Sequence, residues 1–246
     1  MKRFSFSILF IFCITLLPMS QIIDSNNLED VLKYATKNTV VLFDIDNTLV
    51  HPKDTYVGSD PWFLELIKEE KDVNLALPDY TLGSIMIEFQ PVACNTIKVL
   101  DELKKNKIPT IGFTARNLYI SSLTIEQLKD AGIVFDGPNI PTHKFVYYSH
   151  KDHPSIYQQG IFFCGANEKE AVVPFLIKEF SKKPKQIILI DDKLKNVETV
   201  QKIVDTMHIN FVGIRYGACD EYVRKFDAKK AKQEFADLKR NKKWKH

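Results

Sequence analysis

Residues 40–50 read VVLFDIDNTLV, and this stretch decides the fold. Val40, Val41, Leu42 and Phe43 run without polar interruption into two carboxylates, Asp44 and Asp46, and a polar turn follows at once. A run that lacks polar alternation suits a strand covered on both faces, as in a parallel sheet. The side-chain period of two then sets Asp44 and Asp46 on the same side where the strand ends, with Ile45 turned away. Two acids therefore stand at the carboxyl edge of a buried strand, where open α/β sheets place their ligands.

The same pattern returns later in the chain. IPTIGFTARN predicts a strand over Ile108 to Phe113 that ends in a polar turn with Thr114 and Arg116. PKQIILIDD predicts another that runs straight into Asp191 and Asp192, and INFVGI, Ile209 to Ile214, predicts a last one. Ile133, Val134 and Phe135 read as a further short strand. Between them lie helical periods: Asp24 to Asn38, expected to cover the sheet edge; Pro91 to Lys107, with Val99 and Leu103 on its buried side; Leu118 to Ala131, ended by Gly132; Glu168 to Phe180; and Leu194 to Met207. Strand and helix alternate almost throughout, so the expected fold is α/β, a Rossmann-like parallel sheet flanked by helices with right-handed crossovers.

Two stretches depart from the alternation. Val50 to Pro91 returns to no obvious sheet strand, and Pro61 after Asp60 resembles a helix start, so a small, mostly helical lid is expected over residues 50–91. Trp62 and Phe63 within it read first as packed core and second as pocket wall. Residues 137–160 are rich in Tyr, His, Pro and Lys, and FVYYS and QGIFFCG read as two strands of an antiparallel excursion. His51, His150 and His153 have no metal-ligand partner at helical spacing and read as surface residues.

With 45% apolar and 26% charged residues, the chain of 246 residues is neither disordered nor a bilayer-embedded bundle. One α/β domain over residues 21–223 is expected. Residues 1–20 have a basic start at Lys2 and Arg3, an apolar stretch from Phe4 to Leu17 and a small residue at Ser20. They read as a secretory signal peptide, cleaved or kept as an anchor, and too short for a comfortable span. The protein is therefore expected to be exported, periplasmic or secreted, without a membrane span after cleavage. Cys94, Cys164 and Cys219 are too sparse for a disulfide framework, though one pair is open to an oxidising compartment. Arg224 to His246 carries ten Lys or Arg against Asp227, Glu234 and Asp237. Ala228, Ala231, Phe235 and Leu238 fall at helical spacing there, so this basic tail packs one face and keeps its lysines wet, with contact to an anionic surface as the alternative. No nucleic-acid motif accompanies it.

Three strands end in chemistry. Four carboxylates converging on one sheet edge repel strongly in a low dielectric, so positive charge must sit among them. A hard divalent cation held by carboxylate oxygen and water fits, and Mg²⁺ leaves open positions for a substrate phosphate. A lysine completes the neutralisation. Lys169 is the best placed, because it opens its helix near the sheet edge whereas Lys178, Lys182, Lys183 and Lys185 come later.

DIDNTL, GFTAR, an intervening lysine and IILIDD together resemble, in order, the four motifs of the haloacid dehalogenase (HAD) superfamily. The resemblance spans Val40 to Ile214 and extends to exported bacterial members of unassigned function. It implies that Asp44 is a nucleophile forming an aspartyl-phosphate and that Asp46 is the general acid and then base, its backbone carbonyl also binding Mg²⁺. By the same resemblance Thr114 and Lys169 would bind phosphate, Asp44, Asp46, Asp191 and Asp192 would form the metal site, and Asn196 stands where some relatives carry another acid. Dehalogenases of the superfamily lack the second acid, so the implied activity is Mg²⁺-dependent hydrolysis of a small phosphorylated substrate. Arg116 is a candidate substrate anchor or the partner of a surface acid. Two alternatives remain open at the level of sequence: a secreted binding or effector protein with little turnover, and a phosphotransferase.

Overall fold

The computed structural model describes residues 19–149 and 153–241. All but the end of the expected signal peptide, His150 and the last five residues of the tail lie outside the described residues. In chain order the first half forms β1 (Ser20–Ser25), α1 (Asp30–Tyr34), β2 (Thr39–Phe43), β3 (Val50–Pro52), α2 (Asp60–Glu70), α3 (Val73–Ile85), β4 (Phe89–Pro91), α4 (Thr96–Lys105) and β5 (Thr110–Thr114). A 3₁₀ turn at Leu118–Ile120 leads into α5 (Ser121–Asp130), β6 (Phe145–Tyr148), β7 (Pro154–Gln158) and β8 (Ile161–Phe163). The chain closes with α6 (Lys169–Lys178), β9 (Gln186–Asp191), α7 (Leu194–Thr206), β10 (Asn210–Tyr216), α8 (Asp220–Arg224) and α9 (Ala228–Asn241).

The main sheet runs β1-β10-β9-β2-β5-β8-β7-β6. Every neighbouring pair from β1 to β8 in that order is parallel, and β8-β7 and β7-β6 are antiparallel. Alternate residues of each strand build two cores. Val41, Phe43, Ile188 and Ile190 pack with Val99, Leu103, Ile125 and Leu128 on one face. Val40, Leu42, Ile187 and Leu189 pack with Val172, Leu176, Val197 and Val200 on the other. Burial on both faces is why β2 and β9 read as unbroken apolar runs. The packing of α7 on β10 is close: a Cβ at Gly213 would lie 2.2 Å from Val197 Cγ1.

The α/β fold is the one expected, with corrections at its margins. The helix expected over Asp24 to Asn38 is short, and β1 precedes it as an edge strand paired with β10. Ile133 and Phe135 are buried but join no strand, because β8 takes the place beside β5. The excursion of residues 137–160 is thus continuous with the main sheet: β6 and β7 extend it antiparallel through β8. Cys94, Cys164 and Cys219 are all free thiols, so no pair forms among them.

Residues 50–91 do contribute two short strands, but to a separate ribbon: β3 pairs antiparallel with β4, and α2 and α3 stand between them. Ser59, not Asp60, caps α2, accepting from Trp62 N at 3.3 Å. Capping by the serine leaves the Asp60 carboxylate free to turn toward the sheet edge. Trp62, Leu66 and Tyr80 then bury themselves against Ala231 and Phe235 of α9, with Trp62 edge-on to Phe235 at 5.1 Å. A helix pair too small for a core of its own completes one with the C-terminal helix, and Glu234 adds a hydrogen bond from Thr55 Oγ1 at 2.7 Å.

Candidate active site

The carboxyl ends of β2, β5 and β9 lie side by side, and each delivers a polar residue as its ladder ends. Asp44 follows β2, Thr114 closes β5, and Asp191 closes β9 with Asp192 next. Asp44 N still donates to Ile190 O at 2.9 Å, so the acid is set by the last rung of the β2-β9 ladder. Asn47 then takes a left-handed φ of 59°, a conformation that asparagine tolerates. That turn brings Asn47 Nδ2 within 3.3 Å of Asp192 Oδ2.

Lys169, at the start of α6, stands among the acids. Its buried Nζ donates to Asp44 Oδ1 at 2.5 Å and to Asp191 Oδ2 at 2.7 Å. Burial opposes its charge, yet Asp191 and Asp44 alongside reverse that and raise its affinity for the proton. Asp191 is further held by Lys193 N at 2.9 Å and by Asn196 Nδ2, which reaches both oxygens at 3.0 and 3.1 Å. Asn196 therefore orients a carboxylate where an acid would have repelled it.

One lysine does not neutralise this group. Asp44, Asp191 and Asp192 bring carboxylate oxygens within 4.8 Å of one another. Burial pushes the Asp44 carboxyl well up, with Asp191 and Asp192 adding to it against the pull of Lys169, and burial pushes Asp192 up to about 7. Asp192 Oδ1 is buried and has no hydrogen-bond partner among the described residues, a state that costs free energy unless something fills it. A three-carboxylate oxygen set with one unsatisfied buried atom fits a hard divalent cation. The Asp46 side chain stands outside this group.

Asp46 is gripped by Arg116. The guanidinium donates from Nη2 to Asp46 Oδ1 at 2.7 Å and from Nε to Asp46 Oδ2 at 2.8 Å, a bidentate pair. Nη1 donates to Thr124 Oγ1 at 3.1 Å and Gln127 Oε1 at 2.8 Å, and Gln127 donates in turn to Ser84 O at 2.9 Å. All three guanidinium nitrogens are thus engaged with protein, and Arg116 lines the cavity as the partner of the second acid. Burial by itself would raise the Asp46 carboxyl; the Arg116 charge and hydrogen bonds outweigh it and hold Asp46 below the usual carboxylate range.

Asp44, Asp46, Arg116, Lys169 and Asn196 share a cavity of about 680 Å³ with α2, α3 and the 3₁₀ turn. Its polar floor includes Asp44, Asp46, Thr114 and Lys169, while Phe63, Leu77 and Tyr80 of the 50–91 stretch stand in its wall. Phe63 is thus a wall residue, and Trp62 is core. Of the histidines, His153 lines the cavity and His51 instead contacts Gln90 at 3.1 Å in the β3-β4 ribbon. Sequence reasoning missed Asp60, whose carboxylate meets Lys193 Nζ at 2.5 Å across the cavity mouth, and the buried pair Thr124 and Gln127. Ser121, Thr124 and Gln127, three apart along α5 beside Ile125 and Leu128, were the available signal.

Among relatives, a Chlamydia pneumoniae protein named "Putative outer membrane protein" is 23% identical over 98% of this chain and 94% of its own length. An uncharacterized protein of Rickettsia prowazekii is 22% identical over 88% of this chain and 85% of its own. Of solved structures, a HAD family hydrolase of Deinococcus radiodurans, determined with bound phosphate and sodium, superposes with a TM-score of 0.41 at 11% identity. That match covers 71% of this chain and 79% of the other. The class C acid phosphatase of Bacillus anthracis gives 0.40 at 13% identity, covering 88% and 84%. The family described as "Protein of unknown function (DUF2608)" matches residues 21–244, nearly the whole chain, and the protein belongs to that family.

Proposed function

We propose that the protein is an exported, metal-dependent phosphomonoesterase of the HAD type that works through an aspartyl-phosphate on Asp44. The observation that carries the reading is the buried Asp44 carboxylate, held by Lys169 at a strand end with Asp191 and Asp192 beside it and Thr114 lining the same cavity. The order of DIDNTL, GFTAR, Lys169 and IILIDD along the chain supports it. Export is supported by the apolar stretch behind a basic start at residues 1–20 and by the name given to the chlamydial relative.

A carboxylate oxygen of Asp44 attacks phosphorus; the Oδ–P bond forms as the P–O ester bond breaks, and the leaving oxygen takes a proton from Asp46. Water then attacks the acyl phosphate, giving its proton to Asp46, and inorganic phosphate leaves. As it stands, Asp46 is the ionised partner of Arg116, the form that serves as base in the second half; donating a proton in the first half requires the guanidinium to loosen its grip. Thr114 and the Lys169 ammonium hold phosphoryl oxygens. Mg²⁺ held by Asp44, Asp191, Asp192 and the Asp46 carbonyl would offset charge that builds on those oxygens. Residues 50–91, read as a cap, keep bulk water from the acyl phosphate.

The test is hydrolysis of p-nitrophenyl phosphate by the full-length protein with Mg²⁺ or EDTA, beside Asp44→Asn. Turnover that needs the metal and disappears in the variant is expected. Turnover unchanged in Asp44→Asn sinks the mechanism, and a folded, Mg²⁺-loaded protein inert toward aryl, sugar and nucleoside phosphates sinks the enzyme reading in favour of a binding role.

A further inference from the structure

The cavity has two unlike ends. Its floor is the charged site, but its rim carries large apolar side chains left open to solvent: Tyr119 is 84% exposed, Leu64 63% and Val73 45%. Scattered apolar residues on a surface mean little, but these come from three separate segments, the 3₁₀ turn, α2 and α3, and meet around one opening. Phe63, its ring 4.5 Å from that of Tyr80, continues the wall inward.

The charges of the cavity point the same way. Its lysines and arginine are Lys169, Arg116 and Lys193. Each is already paired: Lys169 with Asp44 and Asp191, Arg116 with Asp46, and Lys193 with Asp60. Asp60 also sets a carboxylate at the mouth. Among the described residues, a second phosphate or carboxylate on the substrate would find no unengaged lysine or arginine and would meet an acid.

We infer that the substrate carries a single phosphoryl group on an uncharged, apolar alcohol, which lies against Leu64, Val73, Phe63 and Tyr119. The inference rests on the phosphomonoesterase reading for the pose of the phosphoryl group and adds the chemistry of the remainder. An aryl ring and an alkyl chain share that chemistry. The volume of about 680 Å³ accommodates either beyond the phosphoryl group.

Non-hydrolysable phosphonates test this by calorimetry on the full-length protein with Mg²⁺, independently of turnover. Phenylphosphonate or n-hexylphosphonate is expected to bind at least about tenfold tighter than methylphosphonate, the gain expected from burying a few apolar carbons. The better of the two tells ring from chain. Phosphonoacetate, with its added carboxylate, should bind no tighter than methylphosphonate. Leu64→Ser and Tyr119→Ala, at sites too exposed to hold the fold, should erase most of the preference while methylphosphonate binding stays unchanged. Equal binding of all four ligands, or a preference that survives both substitutions, overturns the inference. Either result leaves the phosphatase reading to stand or fall on p-nitrophenyl phosphate turnover. Absence of binding by any phosphonate also overturns it.

Discussion

Asp44 and Asp46 are two residues apart at the end of one strand, yet they occupy opposite electrostatic regions. Among the described residues the carboxylates around Asp44 outnumber the cations: Lys169 faces Asp44, Asp191 and Asp192, and Asp192 Oδ1 is left without a partner. Around Asp46 the account closes, since Arg116 matches one carboxylate with a fork and spends its remaining nitrogen on Thr124 and Gln127. Spacing along a strand decides which edge an acid reaches; the partner that meets it there decides what it can do. The open region suits a cation and a nucleophile, and the closed one suits an acid or base whose proton is gated by an arginine.

The hardest blow to the open region is Lys169→Met, which leaves Asp44 and Asp191 buried against each other. A loss of about 3–5 kcal/mol in unfolding free energy without metal is expected, as for other broken buried pairs. A fall in kcat of roughly a hundred- to a thousandfold should accompany it. Denaturant melts and single-turnover rates check both, and a variant as stable as the parent would mean that Lys169 is not what holds the acids.

Metal comes next. At a hundredfold excess over its dissociation constant, Mg²⁺ should stabilise the protein by about 2.7 kcal/mol. Asp192→Asn should lose most of that gain, whereas Arg116 variants should keep it. Thermal melts with and without EDTA test the separation of the regions directly, and an equal Mg²⁺ gain in Asp192→Asn would dissolve it.

In the closed region, Arg116→Lys keeps the charge but loses the fork, costing roughly 1.5–3 kcal/mol of stability and about tenfold or more in kcat. The smallest effect expected is from Asn196→Ala, which frees Asp191 to turn and should weaken Mg²⁺ binding about tenfold with little change in stability. Titration calorimetry measures it, and unchanged affinity would make Asn196 a bystander.

Legibility followed the range of the interactions. β2, β5, β9 and β10 were readable because strands buried on both faces announce themselves as apolar runs, and the acids at their ends needed only the period of two. β1 was not readable: SQIIDS has two apolar residues, and its pairing with β10 spans most of the chain. Ile133 to Phe135 and Ile161 to Phe163 are equally apolar triads, and pairing with β5 and β7 separates the strand from the loop. Lys169 could be chosen among several lysines because its place at a helix start is local. Arg116 could not be assigned, since its choice between phosphate and acid turns on Asp46, 70 residues away.

The basic tail shows the same division. Its helical spacing marked Ala231 and Phe235 as a packing face, but only the folded chain supplies Trp62, Leu66 and Tyr80 as what they pack against. Sequence by itself determined the parallel α/β sheet, the edge where chemistry gathers and the acids that stand there, because burial on two faces and strand periodicity are written in neighbouring residues. Tertiary structure alone decided which cation meets which acid, that Asp60 crosses to Lys193, and that the cavity opposes a charged floor to an apolar rim. Those pairings join residues distant in sequence, and nothing local encodes a contact that exists only once both elements have packed.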